Sequence, residues 1–180
     1  EKMPLRGILR YLQGEAPIYF SKVLDMTAVN YLLSKDPLPQ AEHLKLIHKS
    51  KQFYLYNNER AWPYYYFADR LESIGSYEDL YNAEQGVAYL WKDDATRIPK
   101  ALSFDRNHRL ELTRFEYDDL EFEYSSNEQE FLVIADSWHP NWKARVNGEN
   151  IPIIKTNGVF KGILLTPGEG TINLFFDNTS

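Results

Sequence analysis

The sequence predicts an α+β protein, mostly β, in which an antiparallel β-sandwich of jelly-roll type follows a smaller α/β part. Three observations carry that prediction. From Glu130 to Asp177, short apolar or alternating runs are separated by Gly, Pro and Asn-Gly turns, the spacing of strands in a sandwich. Asn147-Gly148 is a strong hairpin signal, because a type I′ turn needs positive φ at both central residues. Aromatic residues make up 15% of the chain, with 13 Tyr, 10 Phe and 4 Trp, a composition that suits pleated cores and wet binding surfaces.

Within that stretch, Phe131 to Ala135 (FLVIA) is an apolar run expected to be a strand buried on both faces. Trp142 to Val146 alternates, with Trp142, Ala144 and Val146 on one face and Lys143 and Arg145 on the other. Ile151 to Ile154 is expected to pair back across the Asn-Gly turn. Phe160 to Leu165 forms the next strand, Pro167-Gly168-Glu169-Gly170 turns it, and Thr171 to Phe176 closes the sheet.

The earlier chain mixes signals. Met3 to Tyr11 reads as a short helix. Ser21 reads as the N-cap of a helix carrying Val23, Leu24, Met26 and Thr27, which leads into a β-like run from Ala28 to Leu33. Leu44 to His48 and Gln52 to Tyr56 alternate as a hairpin, and Asn57-Asn58-Glu59 breaks the pattern. Tyr64 to Phe67 reads as an aromatic strand, Ser76 as the cap of a helix from Tyr77 to about Glu84, and Gly86 as its end. Ser103-Phe104, Arg109 to Phe115 and Leu120 to Ser125 are expected strands, with one slip in the alternation before Phe115 and a turn at Asp118-Asp119. Composition shifts to pure β near Asp93 to Pro99, which divides the chain into an α/β part, residues 1–98, and a sandwich, residues 99–180.

The totals exclude several functions. A formal net charge of -6 without a basic run argues against nucleic acid, which requires a concentrated cationic face. The absence of cysteine removes thiolate chemistry and any disulfide framework. No run reaches the roughly 18 to 20 apolar residues that span a bilayer, and the opening Glu1-Lys2-Met3-Pro4 reads as the interior of a longer protein. No glycine-rich phosphate loop, nucleophile elbow or zinc-peptidase pattern occurs, and no cofactor is expected.

One loop has the composition of a binding site. Asp136, Trp138, His139, Asn141 and Trp142 bring a carboxylate, two indoles, an imidazole and an amide within seven residues, the set that sugar recognition uses on a rigid sheet. The alternative is corner packing, with Trp142 in the core and Trp138 and Pro140 fixing the bend. Asp136 and His139 could also form a hydrogen-bonded loop pair or half of a metal site, and no metal is assigned. His43 and His48 are expected on opposite faces of a strand. The acid pairs Asp93-Asp94 and Asp118-Asp119 fall in turns, and Glu121 and Glu123 on the wet side of a strand. No residue is therefore assigned as catalytic, although a glycan hydrolase with two facing carboxylates stays open.

Three stretches carry a resemblance that spans roughly residues 25–177. They are Asp25 to Leu33; Phe53 to Asn58 with Trp62 to Tyr66; and Ile134 to Ala144 with Val146-Asn147-Gly148 and Pro167-Gly168. Together they resemble the extracytoplasmic region of the YfhO-like family of bacterial multi-spanning membrane proteins, which are similar to GT-C-type glycosyltransferases. The third stretch is the most specific. Asn141 stands where the family usually has Gly and Asn147 where it has Asp, both compatible with turn geometry, while Tyr64 replaces an Arg that often follows the proline. The resemblance implies a domain outside the cytoplasm, attached to a membrane-embedded part of the same protein on the bacterial inner membrane. It implies a role in binding or positioning a glycan or a polyprenyl-phosphate sugar. It also implies that the parent's catalytic carboxylate lies in membrane-proximal loops outside this chain. A structural or protein-interaction module without ligand is the alternative.

Overall fold

A computed structural model describes residues 22–96, 98 and 107–178. The expected helix at Met3 to Tyr11, the Ser21 cap and the Ser103-Phe104 strand lie outside those residues. The chain is mostly β with minor helix, the class that alternation and turn chemistry indicated. It divides into two compact units: residues up to Tyr64 with Tyr81–Gln85, and Tyr65–Leu80 with Gly86 onward. The expected division at residues 98/99 falls inside the second unit.

The first unit is a three-stranded sheet. Helix α1 (Lys22–Met26) is followed by a turn at Ala28, whose φ of 56° redirects the chain into β1 (Tyr31–Ser34). β2 (Leu44–Lys49) and β3 (Tyr54–Asn58) form the expected antiparallel hairpin, in sheet order β1-β3-β2. Asn57 and Asn58 do not break the strand but end it, and Asn58 is buried. Its amide donates to Asp25 Oδ1 at 3.1 Å and to the Val29 carbonyl at 3.1 Å, which explains an asparagine inside a sheet. Leu24, Val29, Leu32, Leu44 and Tyr56 pack as the core of this unit.

The second unit has two sheets. One has the order β4-β9-β13-β12-β6-β5, where β4 is Tyr65–Phe67, β5 Arg70–Ile74, β6 Val87–Trp91, β9 Glu130–Ser137, β12 Ile154–Thr156 and β13 Phe160–Leu165. The other has the order β11-β10-β14-β8-β7, where β7 is Arg109–Phe115, β8 Asp119–Ser126, β10 Trp142–Val146, β11 Glu149–Ile151 and β14 Gly168–Phe176. All pairings are antiparallel except β5 with β6, which run parallel and are linked through a 3₁₀ helix, Tyr77–Asn82. Helix α2 (Lys92–Ala95) follows β6 directly.

The chain passes between the sheets after β6, β8, β9, β11 and β13, and the inner faces meet. Tyr65 of β4 sets its ring edge-on to Phe122 of β8, centroids 5.1 Å apart. Phe122, Phe131, Leu132, Ile134, Ile163, Ile172 and Leu174 are almost wholly buried. β9 is buried from Glu130 through Ala135, as a continuous apolar run requires. In β7 the slip before Phe115 is a β-bulge between Leu112 and Arg114 opposite β8.

Three local expectations need correction. Ile151 to Ile154 is not one strand. Pro152 cannot donate to a ladder, and it stands between β11 on one sheet and β12 on the other. Gly168 to Gly170 already belong to β14, Gly168 pairing with Ser126. The 3₁₀ helix replaces the longer α-helix expected up to Glu84.

Candidate functional site

The Asp136–Trp142 loop joins β9 to β10 and so crosses from one sheet to the other. Its conformation is fixed by backbone contacts at both ends. Trp138 N–H donates to the Val159 carbonyl at 2.7 Å, Trp142 N–H to the His139 carbonyl at 3.0 Å, and Asp177 N–H to the Asn141 carbonyl at 2.8 Å. The structure sorts the five candidate side chains into two groups.

Asp136 and Trp142 both contact the buried Lys161, although Trp142 is itself half-buried and keeps part of its surface on the groove beside the loop. Lys161 of β13 is fully buried, and its Nζ lies 2.8 Å from Asp136 Oδ2 and 3.7 Å from the Trp142 ring centroid. An ammonium removed from water needs a counter-charge and a favourable face, and these two residues supply both. Trp142 also meets Phe176 edge-on at 5.7 Å. Asp136 Oδ1 accepts the Ser137 N–H at 2.9 Å, which fixes the start of the loop.

Trp138 and His139 face outward. Trp138 is 36% exposed, and Lys155 Nζ lies 6.0 Å from its ring centroid. His139 Nδ1 accepts the Asn141 N–H at 3.2 Å, and its ring tilts against Phe176 at 5.3 Å. Since Nδ1 accepts, a neutral His139 carries its proton on Nε2, facing away from that bond. Asn141 acts mainly through its backbone in this turn.

Beside the loop is a groove of about 520 Å³ on the outer side of β10. Trp138, Pro140, Trp142, Asn150 and Pro152 line it together with Lys143, Arg145 and Phe175. β10 and β14 align Lys143 with Phe175 in register, and the Arg145 guanidinium stacks 4.8 Å from the Phe175 centroid while donating to Asn150 Oδ1 at 3.1 Å. Lys143 Nζ donates to the Pro140 carbonyl at 2.9 Å, bracing the loop from below. Asp177 is the groove's only carboxylate among the described residues. The groove thus combines two indoles, an imidazole and a phenyl ring with two cations, one amide and the Asp177 carboxylate.

No family model, curated protein or solved structure matches the chain.

Sequence reasoning assigned Lys143 and Arg145 to the wet face of a strand but did not connect them to Trp138. The link depends on Phe175 and Asn150, which reach the same groove through strand pairing. No group of three or more His, Asp or Glu among the described residues could hold a metal ion, and Asp136 is engaged by Lys161. His43 is buried just before β2, while His48 is exposed within it. Among the described residues no helix is long and apolar enough to cross a membrane.

Proposed function

We propose that this chain is the extracytoplasmic domain of a YfhO-like bacterial membrane protein and that its groove binds or positions a glycan or a lipid-linked sugar. The observation that carries the reading is the groove itself. An exposed indole at Trp138 stands beside Phe175, Lys143, Arg145 and Asn150 on a rigid strand pair. Flat rings stack on the C–H face of a pyranose, the Asn150 amide suits hydroxyls, and the two cations favour a saccharide that carries negative charge. The Trp138-His139-Pro140-Asn141-Trp142-Lys143 stretch that lines it is also the most specific part of the family resemblance. The domain is non-catalytic in this reading, its partner being the membrane-embedded part of the same protein. A single groove carboxylate gives a two-carboxylate hydrolase no support here.

The test is an NMR titration of the full chain with neutral and acidic cell-envelope oligosaccharides. Shifts confined to Trp138, Lys143, Arg145, Asn150 and Phe175 are expected, larger for acidic sugars. Silence across the whole set would end the proposal.

One observation favours the ligand-free alternative: Asp136 is engaged by the buried Lys161, and Trp142, although it lines the groove, also lies against the Lys161 ammonium. In a structural or protein-interaction module, Trp138→Ala would alter assembly with the rest of the protein and leave sugar affinity untouched.

A further inference from the structure

The hairpin of β2 and β3 presents charge and apolar side chains that the described residues of its own unit do not cover. Residues 44–53, LKLIHKSKQF, hold three lysines, one histidine and no carboxylate, in a chain whose formal net charge is -6. β2 is an edge strand, and every residue from Lys45 to Lys49 is exposed. Leu46 is 50% and Ile47 52% exposed. A bulge between Leu46 and His48 leaves Ile47 without an opposite residue on β3 and turns it out of the pleat. Toward the tip, the His48 and Phe53 rings lie 5.6 Å apart and Lys49 Nζ lies 5.3 Å from the Tyr54 centroid. Lys45 pairs with Glu59, but among the described residues Lys49 and Lys51 form no ion pair. Edge protection accounts for the lysines and the bulge. It does not account for two adjacent aliphatic side chains left half in water.

We propose that this hairpin docks on an anionic lipid surface, with Leu46 and Ile47 entering the headgroup boundary and Lys49 and Lys51 meeting lipid phosphates. Two aliphatic side chains insert too little area for stable anchoring, and two lysines alone bind weakly and only at low salt. Combined on one rigid hairpin, they give reversible, charge-dependent association. This inference uses none of the groove residues, so it stands or falls independently of glycan binding.

The test uses the full chain with vesicles of equimolar phosphatidylglycerol and phosphatidylcholine, and with vesicles of phosphatidylcholine alone. Sedimentation with the anionic vesicles is expected, weakening as salt is raised. Lys49→Gln with Lys51→Gln should lower that affinity about 25-fold, since one lysine near an anionic surface is worth about fivefold. Because the chain has no cysteine, Ile47→Cys can carry a single polarity-sensitive label. Its emission should shift to the blue on anionic vesicles only. The same label at Tyr117→Cys, a position 94% exposed in the other unit, should not move. Equal binding to both vesicle types, no binding, an unaltered affinity for the double lysine variant, or an unshifted label at position 47 would each overturn the proposal. That holds even if the hairpin then captured an acidic protein.

Discussion

Lys161 and Asp136 form an ion pair, 2.8 Å from Nζ to Oδ2, in which the lysine side chain has no exposure and the carboxylate 19%. They come from adjacent strands, β13 and β9, and the pair lies where the candidate loop leaves its sheet. Removing the carboxylate deprives a buried ammonium of a partner 2.8 Å away, the costly half of breaking a buried pair. Asp136→Ala is therefore expected to destabilise the protein by about 3 kcal/mol, the low end for such pairs because the carboxylate retains some water. Replacing both residues together, Lys161→Met with Asp136→Leu, should cost less than the single change. Urea unfolding of the three variants measures this, and a double variant no more stable than Asp136→Ala would refute it.

Trp138 and Trp142 are four residues apart and should behave in opposite ways. Trp142 covers Lys161 and contacts Phe176, so Trp142→Ala should lose about 2 kcal/mol of stability through lost packing and a lost cation–π face. Trp138 stands at the groove wall, and Trp138→Ala should cost under about 1 kcal/mol. Its effect should fall on sugar affinity instead, a loss of about tenfold for one stacked ring. Thermal melts beside the oligosaccharide titration separate the two outcomes.

Much of this architecture was legible because local rules and burial agree. Phe131 to Ala135 had no polar face and is buried on both. Asn147-Gly148 has φ of 51° and 86°, and Val146 pairs with Glu149 across the two-residue turn. β5 and β6 were missed for a physical reason. Val87 to Trp91 is apolar throughout, so it shows no alternation, and Gly86 reads equally as a helix end or as the entry to a strand. Lys161 misleads for a different reason. In an alternating strand a lysine signals water, and only the pairing of β13 with β9 brings Asp136 to it from 25 residues away. The groove was half legible: its tryptophan and its cations could each be read, but their meeting depends on non-local strand order.

Two glycines in left-handed turns give a sharper test of packing. Gly148 has φ of 86° and Gly158 of 82°, so alanine is strained at both by about 1 kcal/mol. A methyl at 148 would meet nothing within 4 Å, whereas one at 158 would come within 3.0 Å of Leu80 Cδ1 and 3.2 Å of Tyr77 Cε1. Gly158→Ala should therefore be more destabilising than Gly148→Ala by about 1 to 2 kcal/mol, the cost of overpacking. Denaturant midpoints with equal m-values would establish the difference, and equal midpoints would contradict it.

Tyr66 predicts how the fold fails at high pH. Its hydroxyl donates to the Val87 carbonyl at 3.3 Å and accepts from Asn157 Nδ2 at 3.0 Å. Asn157 in turn holds the Tyr89 N–H through Oδ1 at 2.7 Å, linking β4, β6 and the turn after β12. Burial, only partly offset by the Asn157 hydrogen bond, raises the phenol well above its ordinary pKa. The folded state thus keeps a proton that the unfolded chain gives up near pH 10. The stabilisation is complete below about pH 10 and is lost as pH rises beyond it, by about 1.4 kcal/mol per pH unit while only the unfolded state has ionised. Tyr66→Phe should cost about 1 kcal/mol at neutral pH, because Asn157 and the Val87 carbonyl each lose a partner. Above pH 10 its stability should fall less steeply than that of the parent, by the slope of one proton. Urea unfolding of both proteins from pH 8 to 12 tests this, and parallel pH profiles would show that Tyr66 is not the group that titrates.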